Sequence, residues 1–397
     1  MSKSILVVNA GSSSLKFKLY DWDMNEQVSG LCERIGIDGF FKLNYKVNNE
    51  EKKYETNADF SSHDLAIDFL FNKLLELELI KNLSDVVGVG HRVVQGANLS
   101  ESSIVDEKVL KIIEDCIMLA PLHNKPEADV LKIVMNKMPH TKNVAVFDTS
   151  FHTSIPKVNY YYPVPKEWIE NLGVKKYGFH GTSYRFINEK MGEILMTNRP
   201  LNLIVCHLGN GASICCIKDG KSYDTTMGLT PLCGLVMGTR SGDVDASIFD
   251  LVGRQTGLSV DAIFNKLNKE SGLKSICGSS DFRDIQENAK LDNDYQFAID
   301  IFIQKIVNYI AVYKNMLEDK VDGIVFTGGI GENAASVRKA VCEKIKGLDL
   351  NNTVNESKIG DYAKISQPLS KYKVFVVRTN EELKIAQDTK KLVENNI

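Results

Sequence analysis

The sequence predicts an α/β protein built from two related layered domains. Three observations carry that expectation. Short apolar strands alternate with helical periodicities along the whole chain. A strand, a small-residue turn and a return strand run from Ile5 to Leu19, and the same pattern returns from Leu203 to Ile217. A further strand runs directly into glycines between Gly323 and Asn333.

Taken in order, Ile5 to Asn9 reads as a buried strand, and Gly11-Ser12-Ser13-Ser14 turns the chain. Leu15 to Leu19 alternates apolar and polar, the period of a second strand. Phe40 to Tyr54 reads as a hairpin turning at Asn48-Asn49. Ser61 opens a helix with Asp64 at capping-box spacing, and Leu65, Phe69, Leu70, Leu74 and Leu77 follow its helical period. A strand at Val86 to Val89 and helices near 106–119 and 126–138 follow, and the strand Asn143 to Phe147 delivers Asp148 at its end. Residues 150–165, with three prolines and three tyrosines, mark the boundary between domains.

The second half has strands at Leu203 to Leu208 and Ala212 to Ile217, with a tight turn at Lys218 to Lys221. Helices are expected near 244–255, 259–268, 281–289 and 294–318, the last with Phe297, Ile301, Ile306, Ile310 and Val312 among its apolar residues. Lys373 to Val377 is the last strand, and Asn380 caps the C-terminal helix.

Length and composition narrow the function. The 397 residues predict two or three domains, and 43% hydrophobic with 25% charged residues is ordinary globular usage. With 48 basic and 51 acidic residues the net charge is −3, which argues against nucleic acid as the main partner. No stretch approaches the ~18 apolar residues of a membrane span, and the run Ile5 to Val8 is too short for a signal peptide. A cytoplasmic enzyme is the expectation. The eight cysteines form no C-x-x-C pair and read as buried reduced thiols.

Three glycine-rich places could leave backbone N–H groups free to hold an anion: Asn9 to Ser14, His207 to Ser213 and Thr327 to Asn333. Together they point to nucleotide phosphates. A P-loop fails, because Cys215 stands where the first glycine before Gly220-Lys221-Ser222 should be. A dinucleotide fingerprint fails too, because neither Gly88-Val89-Gly90 nor Gly329-Ile330-Gly331 is completed by the third glycine.

Val8-Asn9-Ala10-Gly11-Ser12-Ser13-Ser14-Leu15-Lys16 and His207-Leu208-Gly209-Asn210-Gly211-Ala212-Ser213 resemble the two signatures of the acetate kinases. Further blocks match in order: Gly90 to Val94, Phe147 to His152, Tyr177 to Ser183, Met237 to Asp243, Asp281 to Arg283, Gly329 to Asn333 and Thr379 to Leu383. The resemblance spans the chain. It implies reversible phosphoryl transfer from ATP to acetate, giving acetyl phosphate and ADP, with Mg²⁺ (Mn²⁺ as a substitute) and a homodimer. It implies the duplicated α/β fold of actin, Hsp70 and sugar kinases, with an active-site cleft between the domains. The domains would then be 1–150 completed by 385–397, and 151–384, the second binding nucleotide. Propionate kinase is the alternative within the class, and a non-kinase ATPase of the same fold the alternative outside it.

By that resemblance, Arg92 holds the acceptor carboxylate, Arg240 stabilises the transferring phosphoryl and His180 donates a hydrogen bond to it. Such transfer needs positive groups on the equatorial oxygens, and a guanidinium fork binds carboxylate or phosphate bidentately. Asp148 orients the arginines, since an acceptor ionised at pH 7 needs no base. Asn9 and Glu381 are the metal-associated residues, and Lys16 reaches the phosphates. His207, Leu208, Gly209, Asn210, Gly211, Asp281, Phe282, Arg283, Gly329, Ile330, Gly331, Glu332 and Asn333 contact the nucleotide. Val94, Leu122, Phe179 and Pro231 form the apolar acetate pocket, though on the residues alone they read as core. The chain departs from the family's usual residues at Gln95, Ala97, Lys125, Tyr184 and Cys233.

Overall fold

The computed structural model describes residues 3–47 and 50–395, so the expected turn at Asn48-Asn49 lies outside the described residues. The chain divides into two compact units, residues 1–150 with 380–397, and residues 151–379. The return to the first unit therefore begins at Asn380 rather than at 385, and it carries Glu381 into the first unit.

The first unit holds an eight-stranded sheet. Its strands are β1 (Ser4–Gly11), β2 (Ser14–Asp21), β3 (Glu26–Glu33), β4 (Phe40–Val47), β5 (Glu50–Asn57), β6 (Val86–Val93), β7 (Ser103–Ile104) and β8 (Lys142–Phe147). Their order is β5-β4-β3-β2-β1-β6-β8-β7, antiparallel from β5 to β1 and parallel across β1, β6 and β8. The central strand β1 is apolar at successive positions because both of its faces are covered. Leu6 and Val8 join a core with Leu15, Phe17 and Leu70. Ile5 and Val7 face the opposite way, against Val144, Val146, Ile385 and Ala386. Phe17, Phe41 and Phe69 fill the first core with ring contacts at 5.9 and 4.9 Å.

Helix Glu381–Glu394 closes the second face over β6. It lies so near that a Cβ on Gly90 would come within 2.4 Å of Thr389 Oγ1, and one on Gly88 within 2.8 Å of Val393 Cγ2. Glycine at these two positions is what lets helix and strand touch. Asn380 caps this helix through its side chain, as its sequence position suggests.

The second unit holds β9 (Leu203–Leu208), β10 (Ala212–Lys218), β11 (Lys221–Thr225), β12 (Gly323–Thr327), β13 (Tyr362–Lys364) and β14 (Val374–Val377). The order β11-β10-β9-β12-β14-β13 repeats the β3-β2-β1-β6-β8-β7 part of the first sheet. Pairing senses repeat as well: β9 runs antiparallel to β10 and parallel to β12. Helix Gly181–Ile194 packs Tyr184, Ile187 and Met191 onto Leu203, Val205, Cys215 and Val325.

Several local expectations are corrected. The cap of helix His63–Glu76 is Ser62, not Ser61, and Leu65 is 41% exposed while Ala66, Ile67 and Leu70 turn inward. On the long helix Asn293–Met316, Phe297 and Val312 face outward. Helix Gly181–Ile194 and strand β3 were not expected; the first is polar on its open face, and the second carries few apolar residues. The glycine stretch after β12 is a short helix, Gly328–Asn333, started by Gly328 at φ +77°. All eight cysteines are free, and all except the half-buried Cys233 are buried. Among the described residues, no helix is long and apolar enough to cross a membrane.

Candidate active site

The first unit concentrates charge at the C-terminal ends of β6 and β8. Arg92 is the penultimate residue of β6 and Asp148 directly follows β8, so the parallel pairing of these strands sets them side by side. Asp148 is 1% exposed and accepts from Arg92 through Nη2 at 2.7 Å and Nε at 3.2 Å. Burial works against the Arg92 charge, but Asp148 and Glu381 outweigh it and hold the guanidinium firmly protonated.

Glu381 opens the C-terminal helix. Burial pushes its carboxyl above the ordinary range, and Asp148 and Glu382 add to that while Arg92 opposes it. Glu382 behaves oppositely: burial is outweighed by Lys16, which it contacts directly, and by Lys18 at 4.0 Å. Lys16 lies across from Asn9 in the β1–β2 pair, and the adjoining turn is tied down by His63, whose Nε2 meets the Gly11 carbonyl at 2.9 Å.

One acidic residue beside this cluster escaped the sequence reading. Glu127 is 4% exposed, accepts the Val94 N–H at 2.9 Å, and is pushed up to about 8 by burial despite that hydrogen bond and Arg92. A glutamate inside helix Pro121–Lys137 reads as surface until the fold turns it inward. Next to it Asn124, fully buried, accepts from the Gln95 N–H and donates to the Gln95 carbonyl. Val94 is buried, whereas Leu122 on the first turn of the same helix is 40% exposed and is not core.

The second unit places its polar groups around the β9–β10 turn. His180 caps helix Gly181–Ile194 from the left-handed region, at φ 59°, a costly conformation for a non-glycine residue. Phe179 before it is buried, and its carbonyl accepts from His152 Nε2 at 2.9 Å. The His180 ring stacks on His207 at 4.3 Å. Ser213 Oγ meets His180 Nδ1 at 2.8 Å and also contacts the Tyr184 hydroxyl. Arg240 Nη1 donates to the Pro231 carbonyl at 3.2 Å. A Cβ on Gly211 would lie 3.7 Å from His180 Nε2 and 3.8 Å from Arg240 Nη1, so both nitrogens border the space over that glycine.

A cavity of about 630 Å³ opens beside this turn. It gathers Gly209, Asn210, Asp281, Phe282, Arg283, Gly329, Ile330 and Asn333, with Leu273 and Gln286 that the motifs did not flag. Asp281 accepts from Arg283, which lowers its carboxyl to about 2. Leu208 is fully buried behind this wall, and Gly331 is buried within its helix. Glu332 turns inward to accept the N–H groups of Gly328 at 2.9 Å and Thr379 at 3.1 Å. Arg338, 1% exposed, donates to the Gly331 and Glu332 carbonyls at 2.9 and 3.0 Å and so fixes the short helix from behind.

Two sheets of one topology, each ending in a polar turn, define a duplicated actin-like α/β fold. The chain belongs to the acetokinase family, the match running over residues 4–387; these are phosphotransferases with a carboxyl acceptor. It is 50% identical to the acetate kinase of Mycoplasma pneumoniae, over 98% of both chains. Among solved structures, it resembles the acetate kinase of Porphyromonas gingivalis at 36% identity and TM-score 0.91, covering 99% of this chain and 100% of that one. A propionate kinase from Francisella tularensis matches at 40% identity and TM-score 0.91, over 98% and 99% of the two chains.

Proposed function

We propose that this chain catalyses the reversible transfer of the ATP γ-phosphoryl to acetate, giving acetyl phosphate and ADP by direct in-line displacement. The observation that carries the reading is the pair of donors, Arg240 Nη1 and His180 Nε2, bordering the space over Gly211 in the second signature. A non-kinase ATPase of the same fold would not need this pair together with the Arg92–Asp148 fork.

Asp148 engages Nε and Nη2 of Arg92, which leaves Nη1 to meet the acceptor carboxylate. Acetate is ionised at neutral pH, so Asp148 acts by orienting Arg92 rather than as a base. Arg240 and His180 stabilise charge on the equatorial oxygens of the transferring group. The cavity beside Asn210, Phe282 and Ile330 takes the nucleoside.

The residues fit Mg²⁺. Mg²⁺ takes few protein ligands and keeps several waters. Asn9 and Glu381 offer hard oxygen donors, and a cation would offset the negative charge gathered at Glu381. When bound it neutralises nucleotide phosphate charge. Lys16, opposite Asn9, approaches the phosphates. The protein works as a cytoplasmic homodimer in this reading.

Acetate is the preferred acceptor. A pocket discriminates against one extra methylene by only ~1–3 kcal/mol, so propionate reacts less well rather than not at all. The test is hydroxylamine trapping of acyl phosphate with ATP, Mg²⁺ and acetate, propionate or butyrate in parallel. Highest product with acetate supports the reading. Preference for propionate keeps the mechanism and relocates specificity to the surroundings of Val94 and Phe179. ATP hydrolysis that ignores carboxylates overturns it.

A further inference from the structure

We propose that Tyr184 is a positioning residue for the reaction: its phenol, acting through Ser213, fixes the proton of His180 on Nε2. This rests on the reading of His180 as a donor to the transferring phosphoryl.

The argument is a count of protons. Ser213 Oγ carries one proton and meets two groups, the Tyr184 hydroxyl and His180 Nδ1. With His180 neutral, three arrangements give both contacts a proton, and the one in which Ser213 accepts from both strands its own fully buried hydroxyl proton, so two remain. Either Tyr184 donates to Ser213 and Ser213 donates to Nδ1, or Nδ1–H donates to Ser213 and Ser213 donates to the phenol oxygen. A phenol is a stronger donor and a weaker acceptor than an aliphatic hydroxyl, because its oxygen lone pair is delocalised into the ring. The first arrangement wins. His180 Nδ1 then holds a lone pair, and the ring proton sits on Nε2.

The geometry makes that choice matter. Nε2 is the nitrogen that faces the space over Gly211, beside Arg240 Nη1. With the proton on Nδ1 instead, a lone pair would face the anionic group in transfer. Tyr184 and Ser213 are both 0% exposed, which removes them from competition with bulk water. Tyr184 is itself held in the core formed with Ile187 and Met191, and its ring meets His152 edge-on at 5.6 Å. A parallel chain runs from Thr379 through Ser183 to His207 Nδ1, with both steps at 2.9 Å. That chain contains only aliphatic hydroxyls, so it lacks the directional bias. Of the two stacked imidazoles, His180 is the one whose proton is assigned.

Tyr184→Phe keeps the ring and removes only the hydroxyl, so Ser213 is free to accept from Nδ1–H. In wild-type protein labelled with ¹⁵N-histidine, the His180 shifts should show a protonated Nε2 and a bare Nδ1. In Tyr184→Phe they should move toward a mixture of tautomers. The kcat should fall about five- to tenfold, the change one neutral hydrogen bond is worth, while both KM values stay within about twofold. Ser213→Ala should release the same nitrogen, and the double variant should lose no more than Ser213→Ala alone. If Tyr184→Phe does not fold, Ser213→Ala decides the matter by the same shifts. A wild-type His180 protonated on Nδ1, unchanged shifts in the variants, or multiplying losses would overturn the proposal. If wild-type protein forms no acyl phosphate, the function reading fails and the nitrogen shifts alone decide the role of Tyr184.

Discussion

The β1–β2 turn of the first unit and the β9–β10 turn of the second occupy the same place in two sheets of one topology, yet they are furnished differently. Around the first lie Lys16, Glu382, Arg92, Asp148 and Glu381, ionisable groups tied by the Lys16–Glu382 and Arg92–Asp148 ion pairs. Around the second, Ser213 joins His180 to Tyr184 by hydrogen bonds and Ser183 bonds His207, so imidazoles and hydroxyls predominate. Arg240 is the cation there, and the structure pairs it with the Pro231 carbonyl. Duplication fixed where the side chains point, and the residue types then divided the chemistry. Scaffold and site evolve on separate terms. In the reaction proposed above, the carboxylate acceptor is met by the charged half and the transferring phosphoryl by the second.

That division can be broken from either side. The largest effect should come from Arg240→Ala, which removes the cation of the second turn: kcat falls by roughly 10³–10⁵ with little change in ATP KM. Steady-state kinetics retaining over a tenth of the turnover would strip Arg240 of that role. Gly211→Ala comes next. Its methyl would rest at 3.7–3.8 Å from His180 Nε2 and Arg240 Nη1, an ordinary contact, so the protein folds while the space between the donors is filled. A loss of about 10² in kcat with an unchanged melting temperature is expected, and full activity would place the phosphoryl elsewhere.

On the charged side, Arg92→Ala should raise acetate KM by one to about two orders of magnitude, from a charge-assisted bond of ~1.5–3 kcal/mol, and leave ATP KM alone. An unaltered acetate KM would remove Arg92 from the acceptor site. The smallest effect sharpens the comparison, because it concerns stability. Glu127 is raised from 4.5 to about 8 in the fold, so the folded state holds an extra proton. Its contribution is complete below pH 4.5 and is lost as pH rises toward 8. Glu127→Gln, which can still accept from Val94, should flatten that decline and add about 1–3 kcal/mol at pH 8. Urea midpoints at pH 5 and pH 8 measure it, and an unchanged pH slope would show that burial of Glu127 is not the cause.

The sequence makes the sheets legible wherever burial is two-sided. β9 is a continuous apolar run and keeps the expected bounds, Leu203–Leu208. The motif residues likewise supply most of the lining of the cavity beside the β9–β10 turn, from Asn210 to Ile330. What stays hidden depends on partners distant in the chain. Glu127 becomes a buried acid only when Val94 arrives, 33 residues away, and Tyr184 meets Ser213 across 29 residues. Helix Gly181–Ile194 escapes notice because its core face is only Tyr184, Ile187 and Met191, set in otherwise polar sequence. Gly328 to Asn333 reads as a loop because glycines disfavour helix, and the buried Arg338 supplies the carbonyl contacts that hold it helical.

The helix that seals β6 at Gly88 and Gly90 is synthesised after the whole of the second unit. Residues 151–379 emerge as one uninterrupted stretch and contain their whole unit, whereas the unit begun at the N-terminus waits for residues 380–397. During synthesis the second-made half therefore completes first. The face of β6 bearing those two glycines stays uncovered until that helix is made, and the carboxylate of Glu381 reaches Arg92 only then.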